Sequence, residues 1–149
     1  MRDDGVLDLD NQFCFALYAA SRHVVRAYTD ALKELDLTYP QYLVMLVLWE
    51  WSRDQHARPT VKALGERLDL DSGTLTPLLR RLQTKGVITR QRVSPDEREV
   101  FLRVTAAGVK LKRRVRQVPL NMLKQSPVSI AQITKLRDQL KAFRPAAVA

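Results

Sequence analysis

Thr60-Val61-Lys62-Ala63-Leu64-Gly65-Glu66-Arg67-Leu68, Asp69-Leu70-Asp71 and Ser72-Gly73-Thr74-Leu75-Thr76-Pro77-Leu78-Leu79-Arg80-Arg81-Leu82-Gln83-Thr84-Lys85-Gly86 form the stretch that decides the fold. Thr60 suits the cap of a short helix over residues 61–68, with Leu64 and Leu68 on one face. Asp69-Leu70-Asp71 makes a tight turn. Ser72 then starts a second helix, residues 73–85, which ends at Gly86 because glycine takes the left-handed backbone that closes helices. Residues 87–93 and 100–104 are β-prone runs around a turn at Ser94-Pro95-Asp96-Glu97. Two short helices joined by a turn and followed by an arginine-bearing hairpin predict a winged helix-turn-helix.

Upstream, Phe13, Leu17, Ala20, Val24, Ala27, Ala31 and Leu35 recur at spacings of three and four, so residues 10–35 read as a helix with Asp10 as its cap. Its apolar stripe is too wide for one small core and suggests burial against another subunit. Pro40 suits the first turn of the next helix, which runs to about residue 51. Residues 51–59 are polar and read as a loop. Downstream, Thr105 caps a basic helix to about residue 117, Pro119 marks a kink or break, and Ser129 begins a last amphipathic helix through Ile133, Leu136 and Leu140. Residues 145–149 read as a frayed tail. The class is mainly α with a small β-hairpin wing. One domain spans residues 1–149, with residues 8–38 and 106–143 as dimerisation helices and 39–105 as the winged-helix region.

The formal charge of +9 is unevenly spread. Residues 1–57 hold 5 Lys/Arg against 9 Asp/Glu, residues 58–116 hold 15 against 6, and residues 117–149 hold 5 against 1. A basic centre behind an acidic start points to a polyanion, and with this fold to double-stranded DNA. No apolar run approaches the roughly 18 residues of a membrane span. The acidic N-terminus is unlike a secretory signal, and a lone cysteine fits a reducing cytosol. The chain lacks glycine-rich nucleotide motifs and paired cysteines, and His23 and His56 have no ligand-spaced partner, so neither a cofactor nor a metal is expected.

The small hydroxyls of Ser72, Thr74 and Thr76 can approach a major groove closely, and the helix N-terminus there favours phosphate. Arg80 and Arg81 can reach bases or backbone, and Arg90, Arg92 and Arg98 on the hairpin suit a narrow minor groove. Asp96 either holds Arg98 in place or stops the tip from fraying. Cys14 is the only cysteine. It cannot form an internal disulfide, so it is either a small packed hydrophobe or a reactive group.

Thr38-Tyr39-Pro40-Gln41-Tyr42, the run from Leu70 to Leu82, and Asp96-Glu97-Arg98 followed by residues 102–105 resemble the MarR family of winged-helix regulators. Together with Asn11-Gln12-Phe13-Cys14-Phe15-Ala16-Leu17-Tyr18 they are similar to its organic hydroperoxide resistance regulators, over about residues 8–120. The resemblance implies a homodimer that represses a peroxidase gene and releases an inverted-repeat operator when an organic hydroperoxide oxidises one cysteine. The sensing thiol falls on Cys14, the thiolate-binding tyrosines on Tyr28 and Tyr39, and Tyr18 also lies at the site. Cys14 and Tyr28 are 14 residues apart, or about 21 Å along one helix. They can meet only across a dimer whose first helices run antiparallel.

Two features depart from the family. Residues 118–124 hold no second, resolving cysteine. A sulfenic acid on Cys14 must therefore be capped by an outside low-molecular-weight thiol or be oxidised further. The loop over residues 52–59 is long for the family and has no functional reading from sequence. Two other functions are compatible with parts of the chain: a regulator released by a phenolic ligand with Cys14 inert, and a thiol-dependent peroxidase, for which no resolving route is encoded.

Sedimentation should show a dimer at micromolar concentration, binding an inverted repeat with half-sites about one helical turn apart. A monomer that bound DNA tightly would contradict the reading of the first helix.

Overall fold

Thr38 and Gln41 close a reciprocal capping box. The Gln41 N–H donates to Thr38 Oγ1 at 3.4 Å, and the Thr38 N–H donates to Gln41 Oε1 at 3.1 Å. With Pro40 in the first turn, this starts α2 (Tyr39–Trp51) where the sequence places it. The computed structural model describes residues 3–93 and 98–143. Before α2 lie two 3-10 turns, Asp3–Leu7 and Leu9–Asn11, then α1 (Phe13–Leu32) and a 3-10 turn Lys33–Leu35. After it come α3 (Val61–Leu68), α4 (Ser72–Thr84), β1 (Ile88–Arg92), β2 (Val100–Val104), α5 (Ala106–Val115), α6 (Gln117–Gln125) and α7 (Ile130–Ala142). The class is the expected one: mostly helical, with a two-stranded antiparallel hairpin.

Helix α2 packs against α1, α3, α4 and β2. Its Val44, Met45 and Leu48 meet Leu64, Leu75, Leu79, Leu82, Ile88 and Leu102 in one core, which Leu32, Leu111 and Val115 extend. Thr105 fastens α5 to the end of α4: its Oγ1 donates to the Gly86 carbonyl at 2.6 Å and accepts from the Gly108 N–H at 3.2 Å. The Trp49 indole N–H donates to the Gly108 carbonyl at 3.0 Å across this junction. Gly86 has φ +72°, the left-handed geometry its position required.

Several boundaries differ from the sequence reading. Asp10 is not a cap. It lies in the turn Leu9–Asn11, and α1 starts at Phe13 with Gln12 as a cap residue that makes no side-chain bond. The preceding segment folds back instead, with Asn11 Nδ2 donating to the Gly5 carbonyl at 2.8 Å. Helix α1 stops at Leu32 rather than residue 35, because Asp36 turns left-handed at φ 53° and the Leu37 N–H returns to the Leu32 carbonyl at 3.3 Å. Ser72 is the first residue of α4, and Asp71 is its cap. The basic helix breaks at Arg116, so Pro119 falls in the first turn of α6, where its missing N–H costs nothing. The hairpin tip at residues 94–97, including Asp96, and the tail at 145–149 lie outside the described residues.

The long loop gains a structural reading. The Leu102 N–H donates to the Pro59 carbonyl at 2.7 Å, and Thr60 bridges Phe101. Arg58 pairs with Glu99 at 2.9 Å, its guanidinium 5.7 Å from the Phe101 ring centroid. The end of the loop therefore runs along the outer edge of β2 and braces the wing. Away from this body, α1 buries only Leu32 and α7 buries nothing, which leaves Phe13, Phe15, Val24, Ile130 and Leu136 exposed.

A side chain at Gly108 would strike the Val87 carbonyl oxygen and come 2.6 Å from Val104 Cγ1. Gly108→Ala should therefore lower unfolding stability by about 1–3 kcal/mol, as overpacking does. Urea denaturation followed by tryptophan fluorescence checks this.

Candidate functional site

Two clusters emerge from the body around α2. The first is a basic face. Ser72, Arg90 and Arg98 line one cleft of about 530 Å³ between the helix-turn-helix and the wing, together with Lys62 and Glu66. Lys62 was not singled out from sequence. Only its place in the first turn of α3, beside the turn that presents α4, would have marked it. Arg80 and Arg81 instead line a groove of about 550 Å³ at the other end of α4, with Lys33 and Lys85. There Lys85 pairs with Asp36 at 3.1 Å. Arg92 is exposed at the end of β1, opposite Val100 in the ladder.

Local bonding qualifies the expected role of the α4 N-terminus. The Thr74 N–H donates to Asp71 Oδ1 at 2.7 Å, and this backbone bond holds the exposed Asp71 carboxyl below its usual range. A carboxylate thus already stands where a phosphate was expected, so the helix end is not an open anion site. Thr76 Oγ1 donates to the Ser72 carbonyl at 2.7 Å, which leaves that hydroxyl only its acceptor capacity. Thr74 remains exposed.

The second cluster is aromatic. Tyr28 from α1 and Tyr39 from α2 have ring centroids 5.2 Å apart, so two tyrosines distant in sequence come together. Tyr42, which sequence reasoning missed, completes the group at 5.5 Å from Tyr28 and 6.0 Å from Tyr39. Its spacing of three from Tyr39 was the available signal, since such residues share a helix face. Burial pushes all three phenols above their ordinary values, so they hold their protons and act as donors at neutral pH. Tyr28 also lines an open groove of about 1230 Å³ between α1, α6 and α7, beside Val24, Val118 and Met122.

Tyr18 does not join them. It is 58% exposed, accepts from Arg22 Nη1 at 3.4 Å, and lies under that guanidinium at 5.5 Å. Cys14 is exposed in the first turn of α1, near the opposite end of that helix from Tyr28. Within one chain the thiol and the tyrosine cluster are not brought together. Among the described residues no group of three or more His, Cys, Asp or Glu could hold a metal ion, and no helix is long and apolar enough to cross a membrane.

The family model of the SarA/Rot transcriptional regulators matches residues 26–115. An organic hydroperoxide resistance transcriptional regulator of Bacillus subtilis is 45% identical over 134 residues, which cover 90% of this chain and 88% of that protein. Among solved structures, reduced AbfR bound to DNA superposes with a TM-score of 0.78 at 32% identity, covering 95% of each chain. Overoxidized AbfR bound to DNA superposes with a TM-score of 0.69 at 34% identity, covering 90% of this chain and 95% of that one. AbfR comes from Staphylococcus epidermidis. With its helix-turn-helix, its braced wing and its basic cleft, the chain belongs to the SarA/Rot family of DNA-binding transcriptional regulators, within the MarR-type winged-helix fold.

Proposed function

We propose that this chain is a homodimeric repressor that senses organic hydroperoxides through Cys14. One observation carries the reading: two half-buried phenols, Tyr28 and Tyr39, sit together, Tyr28 lines an open groove, and an exposed thiol stands near the far end of the uncovered helix that carries Tyr28. If two α1 helices pack antiparallel, each Tyr28 meets the partner subunit's Cys14. The exposed apolar residues of α1, α6 and α7 supply the surface such a dimer would bury. The kinship with the Bacillus subtilis regulator supports the choice of signal.

The chemistry follows from the donors. Hydroxyl protons directed at sulfur favour the thiolate, as does a position in the first turn of a helix. The thiolate attacks the outer peroxide oxygen. An S–O bond forms, the O–O bond breaks, and the alkoxide leaves with a proton as the alcohol, so sulfur is oxidised by two electrons and the peroxide reduced. A small thiol then condenses with the sulfenic acid, forming an S–S bond and releasing water. That mixed disulfide places a bulky group among the tyrosines and breaks their bonds to sulfur. Switching the dimer from mostly bound to mostly free requires about 5.5 kcal/mol. The mixed disulfide fits this demand better than a sulfinate or sulfonate, since overoxidized AbfR was solved on DNA.

On the DNA side, Arg90, Arg98 and Lys62 face the duplex from the cleft, Thr74 meets it at the start of α4, and Ser72 and Thr76 flank it. Arg92 lies on the wing. Arg80 and Arg81 meet flanking phosphates with Lys33, while Lys85 stays paired with Asp36.

Cys14→Ser should dimerise and bind operator but stay bound when cumene hydroperoxide is added, as gel shift or fluorescence anisotropy will report. A serine variant that still releases DNA would end the redox reading. Loss of operator binding on adding a phenolic ligand, with no peroxide response in the wild type, would select the ligand-released alternative. Sustained consumption of peroxide with a small thiol would select the peroxidase.

Tyr28→Phe and Tyr39→Phe should each respond roughly tenfold more slowly, the kinetic size of losing a hydrogen bond to a charged group worth about 1.5 kcal/mol. Arg98→Ala should weaken binding on all sequences and flatten the salt dependence by about one counterion, read from affinity against salt concentration.

A further inference from the structure

Residues 3–12 carry four aspartates and no lysine or arginine. They form two 3-10 turns ahead of α1, held by their own polar bonds: Asn11 Nδ2 donates to the Gly5 carbonyl at 2.8 Å and Gln12 Nε2 to the Asp8 carbonyl at 3.2 Å. Yet Val6, Leu7 and Leu9 are exposed, Leu7 by 88%. Ordering a chain costs entropy, and here that order buries no apolar side chain within the protomer. A surface of opposite character borders the tyrosine cluster. A cleft of about 500 Å³ lies between α2, α5 and α6, lined by Tyr42, Leu46, Trp49 and Leu120. Arg53, Lys112, Arg113 and Arg116 also line it, against one carboxylate, Glu50, which pairs with Arg67 at 3.7 Å. Among the described residues none of these four cations is in an ion pair.

We propose that the acidic arm, residues 3–12, docks in this basic-rimmed cleft of the partner subunit and so seats Cys14 at the partner's tyrosines. Its leucines meet the apolar lining, and Asp8 and Asp10 meet the cationic rim. The arm cannot reach the cleft of its own chain, because it leaves α1 at the end away from Tyr28, about 21 Å along the helix. The inference rests on the antiparallel dimer proposed above, and it gives that dimer a second contact. There the partner's Cys14 stands at Tyr28, Tyr28 stacks on Tyr42 at 5.5 Å, and Tyr42 lines the cleft. The spans agree as well. Leu9 precedes Cys14 by five residues, about 10 Å at the 3-10 rise, and Leu46 lies one helical turn past Tyr42.

The test uses the full-length protein at low salt with two charge reversals, Asp8→Lys/Asp10→Lys in the arm and Arg113→Glu/Arg116→Glu in the rim. The arm's apolar side chains are exposed in its own chain, so its reversal leaves the folded body intact. Each reversal alone should raise the dimer dissociation constant roughly tenfold in sedimentation, since opposed like charges resist contact. Each should also slow operator release by cumene hydroperoxide. An equimolar mixture of the two should recover wild-type affinity and response, because every heterodimer pairs a cationic arm with an anionic rim and an acidic arm with a basic one. Added salt should shrink these differences. Unchanged dimer affinity in either variant would overturn the docking, and so would a mixture no better than its components, the result of a contact within one chain. A rim variant that dimerised normally but bound operator weakly would assign the rim to DNA phosphates and overturn the docking too. A protein that passes the charge swap while wild-type Cys14 ignores peroxide would uphold the docking and end the sensing function. A monomeric wild type would end both.

Discussion

Helix α2 is enclosed on most of its circumference, and this burial constrains every other part of the chain. Its Met45 and Leu48 sides hold α3, α4 and the hairpin in the core, while Trp49 reaches α5 through the Gly108 carbonyl. Its first turn carries Tyr39 and Tyr42 against Tyr28 of α1. A helix packed this tightly cannot shift at one end without loading the other, because a close-packed core transmits displacement rather than absorbing it. The tyrosine cluster and the base of the helix-turn-helix are therefore mechanically one object.

The electrostatics divide along the same line. Acidic residues predominate before residue 58 and basic ones after it, and folding distributes the basic part over α3, α4, the wing and α5. The cation clusters are not left bare. Asp71 sits at the head of α4, Glu99 holds Arg58, and Asp36 holds Lys85. These exposed pairs contribute little stability individually. Their effect is on direction, since they fix which cations remain available to a phosphate and limit binding where no base pattern rewards it.

In the proposed dimer, sensing and assembly share α1. The stripe that leaves Phe13, Phe15 and Val24 exposed in one chain is the surface that would bring the partner subunit's Cys14 to Tyr28. In that proposed arrangement the thiol would be activated only in the assembled dimer, and an isolated protomer would carry neither function.

Much of this was legible in the sequence. Hydroxyl caps at Thr60, Thr105 and Ser129, Pro40 in the first turn of α2, the glycine at 86 and the β-prone runs around residues 94–97 set the order of elements, because capping and turn chemistry act over three or four residues. The pairing of Tyr28 with Tyr39 followed from family resemblance. Folding decided what depends on distant neighbours. Tyr42 joins the cluster because α1 crosses α2 at that turn, and Tyr18 falls outside it within one chain because it lies about 15 Å from Tyr28 along the same helix. Arg80 and Arg81 separate from Arg90 and Arg98 because α4 carries them to opposite ends of the basic face. The loop at residues 52–59 acquires its role only through the free backbone edge of β2. Sequence by itself determined the order and type of most of the helices and of both strands, since those signals are local hydrogen bonds and apolar periodicity. Tertiary structure alone decided which hydroxyls, cations and backbone edges meet, since those contacts depend on how the buried faces of α2 turn its neighbours toward one another.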